Sequence, residues 1–164
     1  MVLRRDAIGG LYTLGKEIMI EVVDDTNLEE VLPLIRQYLA FYNISGIDDE
    51  KNARYFSKFG PSTDLGCLFA YRLDGQIVGF ATVYFSYASS ILSKVAIMND
   101  LYTTEAYRRR GIGKELIMHC ERFAREHGAA RLQWVTAATN TTAQAVYNSL
   151  GAKHSTWEIY TYTK

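Results

Sequence analysis

"YRRRGIGKEL", residues 107–116, decides how the rest of the chain is read. Three arginines stand directly before Gly-Ile-Gly, and a run with helical spacing follows. A solvated basic patch, a nucleic-acid or targeting signal, and a backbone loop shaped for phosphate compete to explain it. Upstream, "SKVAIMNDLYT" (93–103) has the composition of a strand. Downstream, Leu116, Ile117, Cys120, Phe123 and Ala124 recur on one helical face, and Gly128 supplies a left-handed cap. The stretch is therefore the turn of a strand–loop–helix unit. The first turn of a helix leaves backbone N–H groups without partners, and the helix dipole adds partial positive charge there. Glycines at 111 and 113 let an anion reach that backbone with no Cβ in the way, and Lys114 and the arginines add charge-assisted bonds. The spacing is not that of a Walker A loop. It also lacks the third glycine of a dinucleotide-binding fingerprint.

Composition narrows the remaining readings. A chain of 164 residues is most simply one domain, here residues 17–164 behind an arm (1–16) without sustained periodicity. With 48% hydrophobic and 22% charged residues, it is globular rather than disordered. Eighteen basic residues balance eighteen acidic ones, so no global field favours nucleic acid or a membrane. The balance hides a split: residues 1–82 carry 8 basic and 12 acidic side chains (net −4), and residues 83–164 carry 10 and 6 (net +4). An anionic ligand is expected in the C-terminal half and a cationic one nearer the N-terminal half. Cys67 and Cys120 sit in apolar surroundings and read as buried hydrophobes, with no disulfide framework. His119, His127 and His154 have no metal-ligand spacing, so no metal is expected. No apolar run approaches the roughly 18 residues of a membrane span, and no signal-peptide core is evident, which makes the cytoplasm the expected compartment.

Working outward, "IMIEVV" (18–23) reads as a strand, followed by a helix with Leu28, Val31, Leu32, Ile35, Leu39 and Tyr42 at helical spacing and a cap among Asp25, Thr26 and Asn27. A second helix, about 48–58, opens with Asp48-Asp49-Glu50 at the positive end of its dipole. "CLFAYRL" and "QIVGFATVYFSY" flank Asp74-Gly75, a two-residue hairpin signal. "RLQWVTA" reads as a strand, "TTAQAVYNSL" as a short helix stopped by Gly151, and "STWEIYTYT" (155–163) as a closing strand. The order β-α-α-β-β-β-α-β-α-β implies an α+β fold, with a mostly antiparallel sheet and one βαβ crossover.

Two motifs in this order identify the chain by resemblance. "NDLYTTEAYRRRGIGKELI" contains R-x-x-G-x-G at Arg108 to Gly113, and "NTTAQAVYNSLGA" contains N-x-x-A-x-x-x-Y-x-x-x-G-A at Asn140, Ala143, Tyr147, Gly151 and Ala152. Over about residues 77–152 the sequence closely resembles the GCN5-related N-acetyltransferase (GNAT) superfamily. The resemblance implies a mixed, mostly antiparallel sheet of six to seven strands with about four helices, splayed between the fourth and fifth strands. It implies acetyl-CoA as cosubstrate and a primary amine, of a small molecule or a protein, as acceptor. Backbone amides of Arg109, Arg110, Gly111, Ile112, Gly113 and Lys114 would take the CoA pyrophosphate, with Arg108, Asn140 and Ala143 in the same motifs. Leu101, Tyr102 and Thr103 would bond the acetyl carbonyl and the pantetheine arm, and Tyr147 would donate to the sulfur.

The general base departs from the family pattern. Many relatives carry glutamate just before the aspartate of the fourth strand, but Asn99 stands there, and an amide cannot take up a proton at neutral pH. Asp100 follows, and in a regular strand it points to the opposite face from Asn99. Both stay candidates, with Asp100 re-aimed only by a bulge. Tyr38, Phe41, Tyr42 and Tyr55, with Asp48, Asp49 or Glu50, read either as an acceptor pocket or as core aromatics beside a solvated acidic helix start. The missing glutamate also keeps a non-catalytic CoA-binding module as an alternative, and C-terminal strands able to pair make a homodimer an expectation.

Overall fold

The computed structural model describes residues 4–5, 11–13 and 16–163. Seven strands form one sheet in sequence order: β1 (Arg4–Arg5), β2 (Leu11–Thr13), β3 (Lys16–Val22), β4 (Gly66–Leu73), β5 (Gln76–Ala88), β6 (Ser93–Thr103) and β7 (Leu132–Gln133). Neighbours are antiparallel up to β6, and β6–β7 is parallel. The α-helices among the described residues are α1 (Leu28–Phe41), α2 (Asp49–Phe56), α3 (Ile112–Glu126) and α4 (Thr141–Ser149). The fold is α+β with a mixed sheet, as expected. Five strands, β3–β7, belong to the body, and the N-terminal arm adds the two short ones.

Period-2 alternation in β4 sends its side chains to two cores. Cys67, Phe69, Tyr71 and Leu73 pack with Leu116, Ile117, Cys120 and Ala124 of α3, while Leu68 and Ala70 pack with Val31, Leu34 and Ile35 of α1 and Phe56 of α2. The sheet is thus covered on both faces in its centre, which is why β4 reads as nearly continuous apolar sequence. Asp74 (φ 50) and Gly75 (φ 82) are both left-handed, the turn that their dipeptide demands between β4 and β5. Asp48 caps α2 by accepting from the N–H groups of Glu50 and Lys51. Both cysteines are buried and free. Arg72 of β4 bridges Glu21 of β3 and Glu30 of α1, tying the first helix to the sheet.

Two expectations need correction. The strand expected over 131–137 shortens to Leu132–Gln133, because β6 and β7 pair only at Ala96–Leu132 and Ile97–Gln133 before they separate. The closing strand expected over 155–163 is not formed, and this segment has no strand partner among the described residues. Its composition favours a strand, but a strand exists only where another one offers its hydrogen bonds.

Candidate functional site

The loop between β6 and α3 presents a row of backbone N–H groups at the start of a helix. Arg109 is held at φ 61 and Gly111 at φ 88, so the backbone turns twice before the helix begins. No backbone N–H from Arg109 to Lys114 donates to a described residue. They line the positive end of a 15-residue helix. Gly113 lies within the first turn of that helix, and a Cβ built there would meet nothing nearer than Leu101 at 4.0 Å. Glycine in a helix costs about 1 kcal/mol relative to alanine. Since packing does not require it, the free space is what Gly113 contributes. The anchor is below: Glu115 accepts from Tyr71 Oη at 2.8 Å.

The arginines divide. Arg108 turns away from the cradle, its Nε donating to Thr103 O at 3.1 Å and its guanidinium lying between the rings of Phe41 and Tyr102. Arg110 folds back onto Ala106 O and the Tyr107 ring. Arg109 and Lys114 are exposed with no side-chain hydrogen bond among the described residues. The arginine run therefore braces the loop with two side chains and leaves Arg109 and Lys114 facing outward.

Beyond Ile97, β6 loses β7 but keeps β5, which pairs with it as far as Thr103. The side of β6 from Met98 to Thr103 that faces away from β5 is an open strand edge. Leu101, Tyr102 and Thr103 lie along it, leading into the cradle. Tyr102 Oη also donates to Gln37 Oε1 of α1 at 3.2 Å.

A bulge re-aims the two candidate acid–base residues. Thr82 pairs with Asp100 and Val83 with Met98, leaving Asn99 as the extra residue of β6. Met98 and Leu101 both pack on the α3 side, so the parity changes at Asn99. Asp100 consequently faces α1 with its cross-strand partner Thr82, contrary to the regular-strand expectation that separates it from Asn99. The two side chains meet: Asn99 Nδ2 donates to Asp100 Oδ1 at 3.1 Å, and Tyr84 Oη reaches Asn99 Oδ1 at 3.5 Å. Asp100 is 5% exposed, and neither its Oδ2 nor Thr82 Oγ1 has a partner in the described structure. Two orphaned buried polar atoms on paired residues mark a place for a water or a ligand. Tyr38 stands beside them, its phenol raised by burial first and then by the Asp100 charge.

Tyr147, on α4, is half-buried and packs edge-on against Trp134 at 5.2 Å. Burial raises its phenol above the ordinary value. The charge of Tyr42 adds to that, and a hydrogen bond with Thr136 opposes it. Those neighbours locate the hydroxyl between the C-terminal end of α1 and the chain beyond β7, across the splay from β6. Asn140 is the N-cap of α4, its Oδ1 accepting from Ala143 N at 3.3 Å, so this pair from the second motif positions the tyrosine's helix.

The acidic residues considered for the acceptor pocket lie at the start of α2 with partners of their own. Asp48 caps α2, Asp49 pairs with Arg36, and Glu50 with Arg54. Tyr38, Phe41 and Tyr42 do form one aromatic cluster at the end of α1, and Phe41 and Tyr42 are exposed. A cleft of about 400 Å³ lies elsewhere, between α1 and the β4–β5 turn, lined by Glu30, Leu34, Gln37, Gln76 and Thr104 among others. It contains none of the candidate residues.

The family model described as Acetyltransferase (GNAT) family matches residues 32–152 of this sequence, a stretch that takes in the β6–α3 loop, Asn99, Asp100 and Tyr147. This chain is a GNAT-family acetyltransferase. Among its relatives is the D-amino-acid N-acetyltransferase of Saccharomyces cerevisiae, 29% identical over 142 residues, covering 85% of this chain and 88% of the yeast protein. The streptothricin acetyltransferase of Streptomyces lavendulae is 30% identical over 146 residues, covering 87% and 70%. In fold, the acetyltransferase is similar to the aminoglycoside N-acetyltransferase AAC(6')-Iy in complex with CoA, with a TM-score of 0.77, 22% identity, and coverage of 94% and 99%.

Sequence reasoning missed two groups beside the candidate residues of the acetyltransferase. Thr82 gave no signal, since its importance comes only from the register that sets it opposite Asp100. Trp134 read as part of a strand, but it supplies the wall against which Tyr147 packs.

Proposed function

We propose that this acetyltransferase moves an acetyl group from acetyl-CoA to a primary amine of a small molecule by direct attack in a ternary complex. The unpartnered N–H row from Arg109 to Lys114, leading onto the open edge of β6, carries the reading. Both fit a long cosubstrate with a pyrophosphate at one end and an amide-bearing arm at the other. Acetyl-CoA supplies an activated thioester and a thiolate leaving group.

The chain's own groups have these roles. Amides from Arg109 to Lys114 hold the pyrophosphate, with Arg109 and Lys114 adding charge. The edge at Leu101, Tyr102 and Thr103 receives the pantetheine arm, and an N–H there polarises the acetyl carbonyl. Asp100 takes the proton of the attacking amine, directly or through a water at Thr82. Asn99 orients the acceptor, since it can hydrogen-bond but not ionise. As the N–C bond forms and the C–S bond breaks, Tyr147 Oη gives its proton to the departing sulfur. A small-molecule acceptor is supported by the relatives, whose names specify D-amino acids and streptothricin.

The experiment is thiol release from acetyl-CoA against a panel of polyamines, D- and L-amino acids, aminoglycosides and peptide N-termini. Turnover with at least one small amine is expected. Acetyl-CoA binding without thiol release on any amine would leave a CoA-binding module instead. With the best acceptor, Asp100→Asn should lower kcat/KM by roughly 10²–10³-fold with acetyl-CoA affinity unchanged, the scale of a general base. Asn99→Ala should mainly raise the acceptor KM. Full activity of Asp100→Asn across neutral and alkaline pH would remove Asp100 from the mechanism.

A further inference from the structure

The cleft between α1 and the β4–β5 turn takes no part in the proposed reaction, yet its chemistry is defined well enough to name an occupant. Its volume of about 400 Å³ is that of a small-molecule site. Glu30, Pro33, Leu34 and Gln37 line it from one face of α1, at i, i+3, i+4 and i+7. Gln76, Ile77 and Thr104 line it from the sheet. Leu34 and Ile77 are buried and give it an apolar floor.

Two features of this cleft break the ordinary rules of packing. Thr104 Oγ1 is buried and has no hydrogen-bond partner among the described residues, a state that native structures seldom leave without a reason. Pro33 stands inside α1, where proline is poorly tolerated. It has no N–H, so the carbonyl of Glu29, one turn earlier, loses its helical donor. The glutamines complete the polar set. Gln37 Oε1 accepts from Tyr102 Oη at 3.2 Å, and Gln76 Oε1 accepts from Tyr107 Oη at 3.1 Å. Both amide nitrogens are left without partners among the described residues, as spare donors. Glu30 shares Arg72 with Glu21, and one arginine against two glutamates leaves the group negative, which disfavours an anion.

We propose that this cleft is a second small-molecule site, for an uncharged secondary amide, and that its occupation is felt at the cosubstrate edge. Spare donors, a bare carbonyl and an apolar floor are the complement of that group. The ligand's oxygen accepts from the glutamine N–H and threonine O–H groups, its N–H donates to Glu29 O, and its alkyl ends lie on Leu34 and Ile77. The two phenols that the glutamines hold connect the cleft to the cosubstrate: Tyr102 lies on the open edge of β6, and Tyr107 directly precedes the arginine run. A ligand on the glutamine nitrogens loads both bridges at once. Acetyl transfer to an amine creates a secondary amide, so the reaction product has the chemistry that this cleft accepts. The link to the cosubstrate rests on the proposed function, whereas the binding of an amide does not.

The probe is N-butylacetamide, followed in nitrogen–proton correlation spectra of the full chain. Saturable shifts are expected at Ile77 and Thr104 and at the side-chain amides of Gln37 and Gln76, with a millimolar Kd for so small a ligand. Butyl acetate keeps the shape and the carbonyl but lacks the N–H, and should bind about 10-fold more weakly. Thr104→Val should weaken the amide to a similar degree at unchanged Tm, since it removes a hydroxyl that no described group uses. Gln76→Ala, at an exposed position, is the second variant should the first fail to fold. Saturating the cleft should change acetyl-CoA affinity by about 5-fold, and acetyl-CoA should change the probe's affinity by the same factor. No saturable shift, equal binding of ester and amide, or unchanged affinity in the folded variants overturns the site. Amide binding with no effect on acetyl-CoA overturns the link between the two. A chain that fails to bind acetyl-CoA refutes the cosubstrate reading instead, and the shifts still decide the cleft.

Discussion

Two strand–loop–helix units follow one another in the second half of the chain, and they are held very differently. β6 is paired with β5 from Ser93 to Thr103 except at the Asn99 bulge, and α3 buries Ile112, Leu116, Ile117, Cys120 and Ala124. β7 is two residues long, and α4 buries none. On the proposed assignment, the first unit holds the phosphate cradle and the second carries the sulfur donor. The contrast has a physical logic. An anion site made of backbone N–H groups works only if their directions are set before the ligand arrives, so it needs a rigid helix start. A single phenol reaching across a splay can be carried by a lightly packed element that settles as the ligand fills the gap.

The division of labour can be broken most directly at Tyr147. Tyr147→Phe keeps the ring against Trp134 and removes only the proton, so kcat should fall about 10²-fold with acetyl-CoA affinity unchanged. Burial and Tyr42 hold the wild-type phenol above its ordinary value. It is therefore still protonated in mildly alkaline solution, and its ionisation should not lower kcat until the pH exceeds about 10. A loss of affinity equal to the loss of rate would mean that the second unit also binds the ground state, and the contrast would fail.

The complementary change is Gly113→Leu in the first unit. It should weaken acetyl-CoA binding roughly 30-fold, about 2 kcal/mol, by filling the cradle. Thermal stability should hold or rise, because leucine is a better helix former than glycine and nothing in the chain lies closer than 4.0 Å to the new Cβ. Calorimetric titration with acetyl-CoA checks it, and a folded variant of unchanged affinity would detach the loop from the cosubstrate.

The smallest effect probes how tightly α3 is seated. His119 packs on the Phe69 ring at 4.6 Å, and its Nδ1 lies 3.1 Å from Arg122. Burial, then the Arg122 charge, lowers its pKa, and Glu126 partly offsets this. With the folded-state value below the unfolded one, near 6.5, the unfolded chain binds more protons between the two. Stability from this group is complete above about pH 6.5 and declines as the pH falls below it. His119→Phe should flatten that part of the Tm–pH curve. An unchanged slope would mean that the imidazole is not seated against the core.

Legibility followed the range of the interactions. The helix start at Gly111, the Asp74-Gly75 turn and the Asp48 cap depend on a few adjacent residues, and the sequence determined each by itself. It also determined the order of elements from β3 to α4 and, through two spaced motifs, the family. Tertiary structure decided where strands meet. The bulge at Asn99 exists because β5 sets Thr82 against Asp100 and Val83 against Met98, and that register turns an aspartate expected on the far face toward α1. Asp48, Asp49 and Glu50 read either as part of an acceptor pocket or as a solvated acidic helix start, and the fold gives Asp48 the helix cap and sets Asp49 beside Arg36 and the exposed Glu50 beside Arg54. Residues 155–163 have the makings of a strand and no strand beside them among the described residues, since backbone pairing is a property of two segments and no pattern within one can supply the other.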